Sequence, residues 1–180
     1  AEAIVLFVDL EGFTGLSETL RPAEIAELLN EYFSTVVEVI ERNKGIVTQF
    51  QGDAILAIFN VPFRDPAHQA NAVRAAVEMR RAVEERTFVG RRLAIRIGVN
   101  IGEVFAGNVG VADRHNYTVH GDAVNVAARL EAMNKGLGTR ILIGGSTASS
   151  LSDVELRRVP AATIRGKAQL VDVYEVRNET

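Results

Sequence analysis

The sequence predicts an α+β domain built on a mostly antiparallel sheet, and three observations predict it. A continuous apolar run, Ile4–Val8, opens the chain and is followed from Pro22 by helical periodicity. Two short β-type runs, Ile46–Phe50 and Ala54–Phe59, flank Gln51-Gly52-Asp53 and read as a hairpin with its tip at Gly52. Helices then alternate with hairpin-linked strands, which argues against a doubly wound parallel sheet.

Each element has its own signal. Ile4-Val-Leu-Phe-Val-Asp9 is apolar without alternation, as in a central strand covered on both faces, and it ends in a carboxylate. Gly12 and the Thr14–Ser17 stretch turn the chain. Pro22 suits the first turn of a helix, and Ile25, Leu28, Leu29, Phe33, Val36, Val37 and Ile40 recur at helical spacing up to Asn43-Lys44-Gly45. After the hairpin, residues 67–85 are Ala-rich and helical, and Leu93–Ile101 alternates as a strand. The glycines of Gly102–His115 read as a loop or irregular arm. Tyr117–His120 is a short strand and Asp122–Asn134 a helix whose apolar stripe is read through Val124, Ala127, Ala128 and Leu130. Ile141–Ile143 is a strand, Ser146–Ser150 a short helix, and Glu155–Val159 and Val171–Val176 a closing strand pair.

Composition narrows the function. With 180 residues, 47% hydrophobic and 24% charged, the chain reads as a single globular domain over 1–180. Cys 0 removes disulfides, thiol catalysis and cysteine zinc sites. A net charge of -3 without a basic run argues against nucleic acid as a partner. No apolar run approaches the ~20 residues that span a bilayer, so no membrane contact by the domain itself is expected. The abrupt start in an apolar strand raises the expectation of an upstream regulatory domain in a longer chain. A cytoplasmic location is the matching expectation.

Two constellations carry candidate chemistry. Asp9 ends a strand and Asp53 sits at a hairpin tip, so neighbouring strands would bring two carboxylates to one sheet edge. Such a pair suits a hard cation, Mg or Mn, although Asp at a turn is also a plain turn-former. The glycine-bearing turn Leu10-Glu11-Gly12-Phe13-Thr14 exposes backbone N–H groups of the kind that hold phosphate. Asn125 and Arg129, four apart on one helix, share a side. Arg129 can clamp a phosphate and Asn125 orient a ribose, or the two are a solvated Asn and an exposed salt bridge. His68, His115 and His120 lack metal-ligand spacing. His120, beside Gly121, reads as structural. Glu11 and Glu103 read as solvated.

Four segments, in order, resemble motifs of the class III adenylyl and guanylyl cyclases. FVDLEGFT (Phe7–Thr14) is similar to the first metal-binding motif and FQGDAILAIF (Phe50–Phe59) to the second. YTVHGDAVNVAARLE (Tyr117–Glu131) resembles the long signature, and IRGKAQLVDVYEV (Ile164–Val176) the closing hairpin. The resemblance implies a ferredoxin-like, palm-type core. It implies that Asp9 and Asp53 bind two divalent metal ions (Mg or Mn), that Asn125 orients the ribose and that Arg129 faces the α-phosphate. Arg165 and Lys167 would grip the terminal phosphates, with Gly12, Phe13 and Thr14 at the substrate. The implied reaction is closure of ATP to 3′,5′-cyclic AMP and pyrophosphate by in-line attack of the 3′-hydroxyl. The implied assembly is a head-to-tail homodimer, with the aspartates from one subunit and Asn, Arg and base readers from the other.

The chain departs from the pattern at the base. Four residues before the second metal Asp, where adenylyl cyclases of this family usually carry Lys and guanylyl cyclases Glu, stands Gln49; the partner position is Thr118. A Gln amide meets N6 and N1 of adenine, or part of the guanine edge when flipped, so Gln49 is permissive. Thr118 favours ATP, with GTP or dual use as the alternative. A nucleotide-binding or dimerisation module without catalysis is the other class of reading. A diguanylate cyclase lacks support, because the hairpin reads Phe50-Gln-Gly-Asp53 rather than that family's signature.

Overall fold

The computed structural model describes residues 1–111, 114–148, 154–165 and 170–177. The elements run β1 (Glu2–Leu10), α1 (Phe13–Ser17), α2 (Pro22–Arg42), β2 (Ile46–Gln51), β3 (Ala54–Phe59), α3 (His68–Glu84), β4 (Thr87–Phe88) and β5 (Arg91–Arg92). They continue with β6 (Ile95–Glu103), β7 (Phe105–Val111), β8 (Arg114–His120), α4 (Asp122–Leu137), β9 (Ile141–Gly144), α5 (Gly145–Ala148), β10 (Glu155–Arg165) and β11 (Leu170–Arg177).

One sheet holds seven strands in the order β10-β11-β9-β6-β1-β3-β2. Neighbours are antiparallel except β6 and β9, which are parallel. The order β6-β1-β3-β2 with α2 and α3 is the βαββαβ unit of a ferredoxin-like core, as expected. The apolar continuity of β1 has a simple cause, because both faces of the strand are covered. Ile4, Leu6 and Val8 pack with Leu28, Tyr32 and Val36 of α2 and with Ala72, Ala76 and Met79 of α3. Ala3 and Val5 face the other way, onto Ala123 and Ala127 of α4. At the start of α2, Pro22 takes the first helical position and the Glu24 carboxylate accepts from Arg21 N–H at 3.1 Å.

The glycine-rich arm differs from its sequence reading. β6 continues to Glu103, and β7 and β8 form a separate two-stranded hairpin with Phe105 opposite His120. Gly102 marks a close approach in β6, where an added Cβ would lie 2.8 Å from Ala123 Cβ, whereas one at Gly107 of β7 would meet nothing within 4 Å. The helix expected over Asp122–Asn134 runs on to Leu137, and Gly138 in the left-handed region (φ 66) ends it. Its buried face also differs. The inward residues are Ala123, Val126, Ala127, Leu130, Glu131 and Asn134, so the stripe read through Val124 and Ala128 is displaced around the helix.

That inner face sits unusually close to β6. A Cβ added to Gly98 would lie 2.5 Å from the Glu131 backbone N and 3.0 Å from Leu130 Cβ. Asn134 then bolts the helix down: its Nδ2 donates to Ile97 O at 3.0 Å, and its Oδ1 accepts from Thr139 Oγ1 at 2.7 Å. Because the obstructing atoms are mostly backbone, a larger residue at 98 cannot be accommodated by a rotamer change. Gly98→Val is expected to destabilise the fold by ~3 kcal/mol or more, read as a lowered denaturant midpoint at unchanged m-value. A midpoint equal to that of the native chain would show that α4 can ride up without loss.

Candidate active site

Pairing of β1 with β3 brings the two candidate metal aspartates together. Val8 lies opposite Ile55, so Asp9 leaves β1 beside the β2–β3 turn that carries Asp53. The Asp53 carboxylate accepts from the backbone N–H of Leu10 at 2.9 Å. Gly12 follows in the left-handed region (φ 67) and caps the short helix α1, a backbone state that favours glycine. Phe13 tucks against the core while Gly12 and Thr14 stay exposed.

Two residues that the sequence did not single out complete this corner. Glu131, on the inner face of α4, is 6% exposed and hydrogen-bonds the Asp9 carboxyl. Arg96 stands opposite Asp9 across the β1–β6 pairing, on the same face of the sheet. Glu11, expected to be solvated, is instead held by two cations: Arg96 Nη2 at 3.1 Å from Oε1, and Arg140 on Oε2. Its hydrogen bond from Arg140 is the main reason that its carboxyl is held below its ordinary value. Glu103 is exposed as expected.

The electrostatics are those of carboxylates short of cations. Burial, with the like charge of Asp53 adding to it, pushes the Asp9 carboxyl up against the opposing effect of its hydrogen bond with Glu131. Burial pushes Glu131 up to about 8, with Asp9 adding to it. The Tyr32 phenol is fully buried, has no hydrogen-bond partner among the described residues, and is pushed up by burial and by all three carboxylates. Asp9 Oδ1 is buried, and among the described residues no N–H or hydroxyl donates to it. A hard divalent cation fits such a donor set. Among the described residues no three His, Asp or Glu side chains converge tightly enough to hold an ion alone. An ion on Asp9 and Asp53 would therefore share its shell with water and phosphate oxygens.

Asn125 and Arg129 lie elsewhere on α4. Both are exposed, and Arg129 Nη2 is 4.0 Å from Asp122 Oδ1. Residues two apart on a helix diverge by about 200°, so Arg129 leaves α4 on the side away from Glu131. Gln49 is exposed on β2, just past a bulge at Thr48 whose hydroxyl donates to Leu56 O at 3.2 Å. β8, the strand of Thr118, lies against β2, with Thr118 opposite Gly107. Arg165 ends β10 opposite Leu170. The side chains of Thr118 and Arg165 and the whole of Lys167 lie outside the described residues, as does His115 beyond its place in β8.

The family model for the adenylate and guanylate cyclase catalytic domain matches residues 1–177. This chain belongs to that family. Adenylate cyclase 1 of Rhizobium meliloti is 35% identical over 181 residues, covering 97% of this chain and 27% of the relative. The adenylate cyclase of Anabaena cylindrica is 36% identical over 186 residues, covering 96% of this chain and 36% of the relative. The chain thus spans about a third or less of the length of these curated relatives. Among solved structures, the guanylyl cyclase Cya2 is 32% identical with a TM-score of 0.82, covering 98% of this cyclase domain and 91% of that chain. No helix of the domain, among the described residues, is long and apolar enough to cross a membrane.

The raised Glu131 value has a measurable consequence in the metal-free domain. Its folded value, about 8, lies above the ordinary 4.5, so its contribution to stability is full below about pH 4.5 and is lost as the pH rises toward about 8. Chelated protein is expected to lose a few kcal/mol over that window, followed by denaturant titration at several pH values. Glu131→Gln should flatten the slope; an unchanged slope would place the titrating group elsewhere.

Proposed function

We propose that this cyclase domain converts ATP to 3′,5′-cyclic AMP and pyrophosphate at the interface of a homodimer. The observation that carries the reading is the division of α4. Its inner face gives Glu131 to the carboxylates, while Asn125 and Arg129 leave by the exposed side. One chain then offers an acidic edge and a separate polar helix face, and a two-fold pair of chains sets each against the other's complement twice.

In this reading Asp9 and Asp53 hold the divalent ions, Mg or Mn. Bound there, they supply charge neutralisation at the phosphates and lower the pKa of the attacking hydroxyl. The backbone of Gly12, Phe13 and Thr14 lies at the phosphates. From the partner chain Asn125 orients the ribose and Arg129 meets the charge developing on the α-phosphate. Arg165 and Lys167 grip the terminal phosphates. The 3′-oxygen bonds to the α-phosphorus as the bond to the β-phosphate oxygen breaks, the hydroxyl proton passes to solvent, and pyrophosphate leaves. Gln49 and Thr118 read the base, and the proximity of β2 and β8 supports their acting together. The names of the two curated relatives and the hydroxyl of Thr118 favour ATP, while the turnable amide of Gln49 favours incomplete exclusion of GTP. An upstream regulatory region and a cytoplasmic setting accompany this reading.

The deciding experiment is turnover with ATP and with GTP in manganese, using Asp53→Ala, Arg129→Ala and their mixture. Each variant alone is expected to lose at least about a hundredfold in rate. After random re-pairing the mixture should recover about a quarter of native activity, since half the dimers keep one of two sites. No recovery, or full activity in a strictly monomeric sample, would sink the shared-site arrangement. Gln49→Lys is expected to raise the ATP-over-GTP ratio of kcat/KM about tenfold or more, because a fixed cation rejects the guanine N1–H that an amide accepts. A ratio that stays level would remove Gln49 from base reading.

A further inference from the structure

Arg96 has a choice of partners. It leaves β6 opposite Asp9 and on the same sheet face, its side chain is 16% exposed, and its charge acts on both Asp9 and Glu131. On the outer side stands Glu11, two residues after Asp9. The guanidinium takes the outer partner, donating to Glu11 Oε1 at 3.1 Å, while the other oxygen of Glu11 is taken by Arg140, which precedes β9. The Glu11 backbone is tied as well, donating to Ala94 O at 2.9 Å. Asp9 Oδ1 meanwhile stays without an N–H or hydroxyl donor among the described residues, although a five-donor fork stands opposite it. A guanidinium paired directly with Asp9 would cover the lone pairs and cancel the charge that a divalent cation needs.

We propose that Glu11 is a positioning residue for cation binding: by holding Arg96 on the outer side of the turn, it keeps that guanidinium off Asp9 and leaves the carboxylate open to the ion. The inference rests on the reading of Asp9 and Asp53 as metal ligands. It differs from simple anchoring of the turn in one respect. Anchoring acts whether or not Arg96 carries its charge, whereas steering acts only through Arg96. Arg140 provides an independent discriminator, because its removal leaves Glu11 wholly to Arg96.

The test is Mn2+ binding to the full chain without nucleotide, followed by the electron paramagnetic resonance signal of the free ion. Glu11 is partly exposed and Gln matches its shape, so Glu11→Gln should fold. Glu11→Gln is expected to raise the Mn2+ Kd roughly fivefold, and to have no effect when added to Arg96→Gln. Arg140→Gln should leave the Kd level or lower it. An unchanged Kd in Glu11→Gln overturns the proposal, as does an equal loss on the Arg96→Gln background or a matching loss in Arg140→Gln. Where Arg96→Gln does not fold, the Arg140→Gln result decides alone. Asp53→Ala, run alongside, separates the two levels. If it binds Mn2+ as tightly as the native chain, the metal-ligand reading itself fails, and the role of Glu11 with it.

Discussion

How closely α4 can lie on β6 governs the rest of this structure. Gly98 removes the side chain that would hold the two apart, and Asn134 fills the vacated hydrogen-bonding space by bridging to Ile97 O and Thr139. Only at that separation does the inner face of α4 reach the end of β1. Glu131 then meets Asp9, and the helix is too tightly seated to rotate. Its outer face is fixed by the same contact, so Asn125 and Arg129 are aimed by a packing event on the opposite side of their own helix.

The corner that results is electrostatically unbalanced. Asp9, Asp53 and Glu131 lie at one edge, and Arg96, the cation whose charge acts on Asp9 and Glu131, is committed to Glu11. Burying carboxylates against each other opposes folding, and the closed core around β1 on both faces offsets it. Carboxylates pushed up by burial and by each other occur at functional sites more often than at purely structural ones.

Much of this was legible in the sequence, for identifiable reasons. The strand–turn and hairpin patterns around Asp9 and Gly52-Asp53 are local and put each carboxylate at a strand end, and pairing of β1 with β3 then brings both to one edge. The helix over Pro22–Arg42 follows from Pro22 and apolar periodicity, and that over His68–Glu84 from its alanine content. Glu131 and Arg96 were not legible, because their roles depend on which way a helix and a strand face. Reading Val124 and Ala128 into the apolar stripe turned α4 away from Glu131. The series Ala123, Ala127, Leu130, Asn134 gives the correct face and would have placed Glu131 on it. Arg96 interrupts the run Ile95, Ile97, Val99 at the alternation of a strand covered on both sides, a position where a mostly covered charge has to find a partner, here Glu11. Glycine misled in the β7–β8 arm, since the hairpin carries Gly107 in a strand where an added Cβ would meet nothing within 4 Å.

The place of β1 in the sheet also bears on how quickly the chain can be assembled. The first strand in the sequence ends between β3 and β6, and the later of these neighbours lies far along the chain, with α4 and β9 later still. Contacts this distant in sequence make a slow-folding topology, in which long loops close before the central strand has both neighbours. The three carboxylates come together only when α4 docks. The cost of burying Asp9 and Glu131 together therefore rests on that long-range packing being made.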